Sequence, residues 1–115
     1  MKNTNNTLIQ INQYGMGNGD EALSLKLMGS YLKLMFDDNR LPKIITFYNG
    51  GVKLLHNDSP VLEILKQIEA SGVVLLACKT CLEYYQMSDA LGVGVAGTMM
   101  DIITLQSNAT KVITL

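Results

Sequence analysis

The chain has 115 residues, 48% of them hydrophobic, which suits one compact domain with a genuine core and leaves little room for a second. Its formal net charge is −1 and no two Lys or Arg residues adjoin, so it lacks the basic field that holds a nucleic-acid backbone. No apolar stretch approaches the roughly 18 residues that span a bilayer, and the opening MKNTNNT has no apolar signal-peptide core. A cytoplasmic protein with no nucleic-acid or membrane partner is expected.

Residues 1–6 offer nothing to bury and are expected to form a disordered tail before a single domain, residues 7–115. Leu8, Ile9 and Ile11 make a first strand. A glycine-rich turn over residues 14–19 follows, and Asp20 is placed to cap a helix over residues 22–36 with Glu21 in its first turn. Leu25, Met28, Leu32 and Met35 form one stripe of that helix, and Leu23, Leu27, Tyr31 and Leu34 widen it well past an ordinary amphipathic face. So apolar a helix is expected to contact more than its own sheet.

Pro42 marks a break before a second strand, KIITFY (residues 43–48), which Asn49-Gly50-Gly51 closes; residues 52–56 suit a short helical turn. Ser59-Pro60 reads as a helix start, with Val61, Leu62, Ile64, Leu65 and Ile68 as the buried face and Gly72 as the stop. Residues 73–77 form a β-branched apolar run of the kind buried on both faces of a parallel sheet. Beyond Tyr85 the pattern weakens. A helical turn at 87–91 and a short strand at 93–96 are expected, then a helix to about Ser107 opened by Thr98 and Asp101, and a last strand, KVITL. Strands alternating with helices predict a three-layer α/β/α domain with a five-stranded, mostly parallel sheet.

The only two cysteines stand at the end of the third strand, as Cys78-Lys79-Thr80-Cys81. Open α/β sheets bind ligands outside the carboxyl ends of their strands. A helix beginning near Thr80 puts both sulfurs at its amino end, where unpaired N–H groups and Lys79 favour a thiolate. Such a thiolate holds sulfane sulfur as a persulfide, or the pair forms and breaks a disulfide; alternatively both are buried small hydrophobes. A closed zinc site needs four ligands, and beyond the cysteines there is only His56, so no metal or cofactor is expected. Thioredoxin-type chemistry wants a proline facing the motif, and neither Pro42 nor Pro60 falls there.

The loop Gly15-Met16-Gly17-Asn18-Gly19 resembles a dinucleotide loop with its third glycine one place early, and Asp20 and Glu21 put negative charge where a pyrophosphate would sit. That reading is rejected. Gly17, Gly19, Asn49 and Gly50 are expected instead to line a pocket beside Cys78 with backbone donors. Of Tyr84 and Tyr85, adjacent on a helix, at most one can face it.

The order of elements and three separated motifs, GNGDEA (residues 17–22), ITFYNGGVKL (45–54) and CKTCLEYY (78–85), resemble the DsrE-like domain of YedF-type proteins across residues 7–115. The resemblance implies a DsrE/F-like five-stranded parallel sheet between helices, with a persulfide carried on Cys78, the cysteine at the end of the third strand. It also implies assembly into a homo-oligomer, in keeping with the over-apolar helix. Cys81 belongs to the YedF-like pattern rather than to the wider superfamily. YedF-type proteins usually carry a preceding TusA-like domain and are associated with selenium metabolism and sulfur transfer. That domain is not in this sequence, so a TusA-like sulfur carrier or another thiol protein is the expected partner. The resulting expectation is a sulfurtransferase-like carrier of sulfur or selenium on Cys78. The rival readings are a thiol-disulfide redox protein using Cys78 and Cys81, and a non-catalytic oligomeric binding module.

Overall fold

The computed structural model describes residues 6–115, so the expected tail, apart from Asn6, lies outside the described residues. The Asn6 carbonyl accepts hydrogen bonds from the backbone of Thr110 and Lys111, and so ties the start of the fold to its end. Five strands follow: β1 (Thr7–Ile11), β2 (Ile44–Phe47), β3 (Val74–Cys78), β4 (Val95–Gly97) and β5 (Lys111–Thr114). All neighbours are parallel, in the order β4-β3-β2-β1-β5.

The helices are α1 (Glu21–Asp37), α2 (Leu62–Ala70), α3 (Lys79–Tyr84) and α4 (Met99–Asn108), with a 3₁₀ helix over Asn49–Leu55. The first three crossovers step one way along the sheet, and the last returns past β1 to the other edge. A right-handed connection that reverses direction must also change face. Accordingly α1 and α2 pack together over the face that carries Ile9, Ile45 and Leu75, while α4 lies on the other, where Gln106 donates to Gln10.

On the α1 face the core is dense. Ile9, Ile11, Ile45, Phe47, Leu75 and Ala77 meet Met28, Leu32 and Met35 of α1 and Leu65 and Ile68 of α2. Each fully buried aliphatic or aromatic side chain here contributes about 1.5–3 kcal/mol. On the α4 face the central strand buries Thr46, whose hydroxyl has no hydrogen-bond partner among the described residues.

Local signals explain the helix ends. The Asp20 carboxylate accepts from the Leu23 N–H at 3.1 Å, which satisfies one of the orphan donors of α1. Thr98 and Asp101 form a reciprocal capping box, with the Asp carboxylate in the place usually taken by Glu or Gln. The expected start of α2 is corrected: the helix begins at Leu62 rather than Pro60, because Ser59 Oγ accepts from the Val61 N–H and holds the intervening residues in a turn. Residues 87–91 form no helix; Leu91 instead makes an isolated bridge with His56.

Candidate functional site

The chain passes from β3 into α3 with no intervening residue, so Cys78 ends the strand and is also the N-cap of the helix. Its side chain makes no capping hydrogen bond. α3 is six residues long, less than two turns, and Cys81 lies within its first turn. Both cysteines are free. They differ sharply in reach: Cys78 exposes 1% of its surface and belongs to the core, whereas Cys81 is half-buried and packs against that core from outside.

The second wall of the site comes from the segment after β2. Asn49 has φ of 52°, the left-handed region that Asn tolerates better than most residues. Its N–H donates to Cys81 Sγ at 3.1 Å. The Asn49 side chain is held too, its Oδ1 accepting from the Tyr85 hydroxyl at 3.4 Å. Lys53 Nζ sits 4.5 Å from the centre of the Tyr85 ring, a cation–π contact that braces the tyrosine from the 3₁₀ helix.

This segment is clamped onto β1. The Tyr48 N–H donates to the Ile11 carbonyl at 3.1 Å, and a Cβ added to Gly51 would lie 2.1 Å from that same oxygen. Only a glycine admits such an approach. Gly50 is close as well, since its Cβ would meet the Tyr14 nitrogen at 3.3 Å.

The Cys81 thiol is pushed above its ordinary pKa. Burial is the largest cause, followed by its hydrogen bond with Cys78; the Asn49 N–H acts in the opposite direction, and the charge of Cys78 adds to the rise.

Of the residues singled out from the sequence, Cys78, Cys81, Asn49 and Gly50 come together at the carboxyl ends of β2 and β3. Gly17 and Gly19 do not share in that clamp. Both are exposed, and a methyl group at either would meet open space. Tyr85 faces the site and Tyr84, 82% exposed, stacks edge-on behind it. Lys53 was not singled out, and Gly51 was expected only as part of the turn that closes the second strand. Both sit in the FYNGGVKL segment, but their roles depend on contacts with Tyr85 and β1 that no local pattern announces. A pocket of about 320 Å³ adjoins, lined by Tyr14, Lys53, His56, Ser59, Tyr85 and Met87. A larger groove of about 700 Å³ runs past Thr7, Pro42 and Lys111 at the amino ends of the strands, away from the cysteines. Among the described residues no three His, Cys, Asp or Glu side chains are grouped to hold a metal.

Solved structures with the same fold have little sequence in common with this chain. A protein of unknown function from Methanobacterium thermoautotrophicum, MTH1491, superposes with a TM-score of 0.70 at 22% identity, covering 95% of this chain and 97% of its own. The ychN protein from E. coli gives 0.67 at 22% identity, with 95% and 98% covered. BT1422 of Bacteroides thetaiotaomicron, a conserved protein of unknown function, gives 0.67 at 18%, with 96% and 95% covered. No curated protein gives a significant match. The family model described as the DsrE/DsrF-like family matches residues 6–115, nearly the whole chain. With that match over a five-stranded parallel α/β domain, the chain belongs to the DsrE/DsrF-like family.

Proposed function

We propose that the protein is a YedF-type carrier that holds sulfane sulfur, or its selenium analogue, as a persulfide on Cys78 and passes it to a partner thiol such as a TusA-like sulfur carrier. The observation that carries this reading is the pair itself: two free thiols three residues apart where β3 passes into α3, with the Asn49 N–H aimed at the sulfur of Cys81. That amide donor stabilises negative charge on Cys81, the sulfur beside the one that carries the persulfide, without reorganisation. Thiol exchange, the chemistry of such a carrier, is work that two neighbouring thiols can do. We place it in the cytoplasm, as a homo-oligomer.

The same pair of sulfurs suits the rival reading, a reversible Cys78–Cys81 disulfide. Intact mass separates the two. Reduced protein incubated with inorganic tetrasulfide is expected to gain one sulfur atom per chain, and the Cys78→Ala/Cys81→Ala double variant none. Loss of two hydrogens in place of that gain supports the redox reading. An unchanged mass with both thiols demonstrably reduced argues for structural cysteines.

A further inference from the structure

The two sulfurs of the pair are unequally placed, and the difference sets an order of events. A sulfane donor must bring its S–S bond into line with the attacking sulfur, which needs open space in front of that sulfur for the donor and its departing thiolate. Cys78, 1% exposed and enclosed in the core, offers no such approach. Cys81 is half-buried, with the Asn49 N–H and Cys78 as its polar neighbours. We infer that Cys81 is the thiol that meets the sulfur donor and that it hands the sulfur inward to Cys78, an inference that rests on the carrier reading above.

The steps balance without an external oxidant. The Cys81 thiolate attacks the outer sulfur of a persulfide R–S–SH; a new S–S bond forms at Cys81, the bond to R breaks, and R–S⁻ leaves and takes up a proton. The outer sulfur then lies one S–S bond, about 2.05 Å, from Cys81 Sγ. Cys78 is the N-cap of α3 and Cys81 stands three residues on, so the two side chains share one side of the helix start, and a turn of the Cys81 side chain brings that outer sulfur within reach of Cys78. Cys78, as its thiolate, attacks it, forming Cys78–S–SH and releasing Cys81 as a thiolate. One sulfur has moved, and the sum of oxidation states is unchanged.

Asn49 N–H serves both steps, since Cys81 carries negative charge on attacking the donor and again on leaving. The asymmetry also has a use. A persulfide on Cys78 is withdrawn from thiols in solution that would reduce it, while Cys81 remains as the exit for the return transfer.

The test uses glutathione persulfide as donor, with aliquots alkylated at intervals and digested with trypsin. Lys79 lies between the cysteines, so cleavage after it reports each one on its own peptide. In the wild type the added sulfur is expected on Cys81 first and on Cys78 later. Cys78→Ala is expected to retain it on Cys81. Cys81→Ser is expected to load Cys78 about tenfold more slowly or worse, with an unchanged circular dichroism spectrum. The wild-type time course needs no variant and decides the matter if Cys81→Ser fails to fold. Sulfur appearing first on Cys78, or Cys81→Ser loading at the wild-type rate, overturns the relay while leaving the carrier intact. A Cys78–Cys81 disulfide formed with release of hydrosulfide means that Cys78 attacked the inner sulfur, and this too overturns it. No sulfur on either peptide removes the carrier reading itself, and the relay with it.

Discussion

At Cys81 burial and the neighbouring Cys78 favour the protonated thiol, and one amide donor favours the thiolate. The balance falls on the protonated side, with a direct consequence for reactivity, because only the thiolate attacks. Alkylation of Cys81 by iodoacetamide is expected to accelerate over a pH range above that of a free thiol. In Cys78→Ala the midpoint should move down, since the hydrogen bond and charge of Cys78 both raise it, while burial remains. A wild-type midpoint at or below that of a free thiol contradicts this account of the pair. The position of the cysteines was legible in the sequence because an apolar run and a CxxC mark a strand end by local pattern alone. The donor to Cys81 was not. Asn49 is 32 residues away, and its N–H finds the sulfur only because β2 and β3 are neighbours. The expectation that one tyrosine at most faces the site needed only helical geometry, and Tyr85 with Tyr84 behaves so.

The 3₁₀ helix after β2 has no strong helical signal of its own, and three of its contacts keep it in place: Tyr48 N–H on Ile11, Gly51 against the same carbonyl, and Lys53 on Tyr85. Gly51→Ala is expected to cost about 3 kcal/mol, because a Cβ has to displace backbone rather than a flexible side chain. Gly19→Ala should change stability by only a few tenths of a kcal/mol, its Cβ meeting nothing. Urea denaturation of the two variants checks both values, and equal effects contradict the clamp. This contrast shows why Gly19, expected at the site, matters less to the fold than Gly51. A close approach between backbones belongs to tertiary structure and leaves no local signature. Helix starts that rest on local side-chain bonds, at Asp20 and Thr98, were legible for the opposite reason. α2 departs by two residues because a Ser59 turn competes with the Pro60 start.

Across the whole molecule the two faces of the sheet are unequally covered. α1, α2 and the 3₁₀ helix bury one, and among the described residues the other has α4 alone, leaving Val74, Val95, Val112 and Ile103 exposed. Outward on α1, Leu23, Leu27 and Leu34 form a second apolar stripe, with Leu34 66% exposed. Stripes of this kind on a globular chain mark surfaces that another protein covers. We expect a homo-oligomer in sedimentation equilibrium at micromolar concentration. Leu27→Glu with Leu34→Glu should lower its mass toward that of one chain without loss of helical signal, and a wild-type monomer contradicts the expectation. The excess of leucines on α1 was visible as a stripe too wide for one partner. The strand order, by contrast, had to come from the structure: alternation of strands and helices implies a parallel sheet, but the return of β5 to the far side of β1 depends on how the crossovers pack.

Carriage of sulfur means both taking it up and giving it back, so the most direct test joins the two. The protein is loaded with tetrasulfide, freed of donor, mixed with a reduced TusA-like carrier protein, and both chains are weighed intact. This protein is expected to gain one sulfur and then lose it as the acceptor gains one, and the Cys78→Ala/Cys81→Ala double variant to do neither. A sulfur gained equally by the double variant, or never gained by the reduced wild type, contradicts the carrier reading.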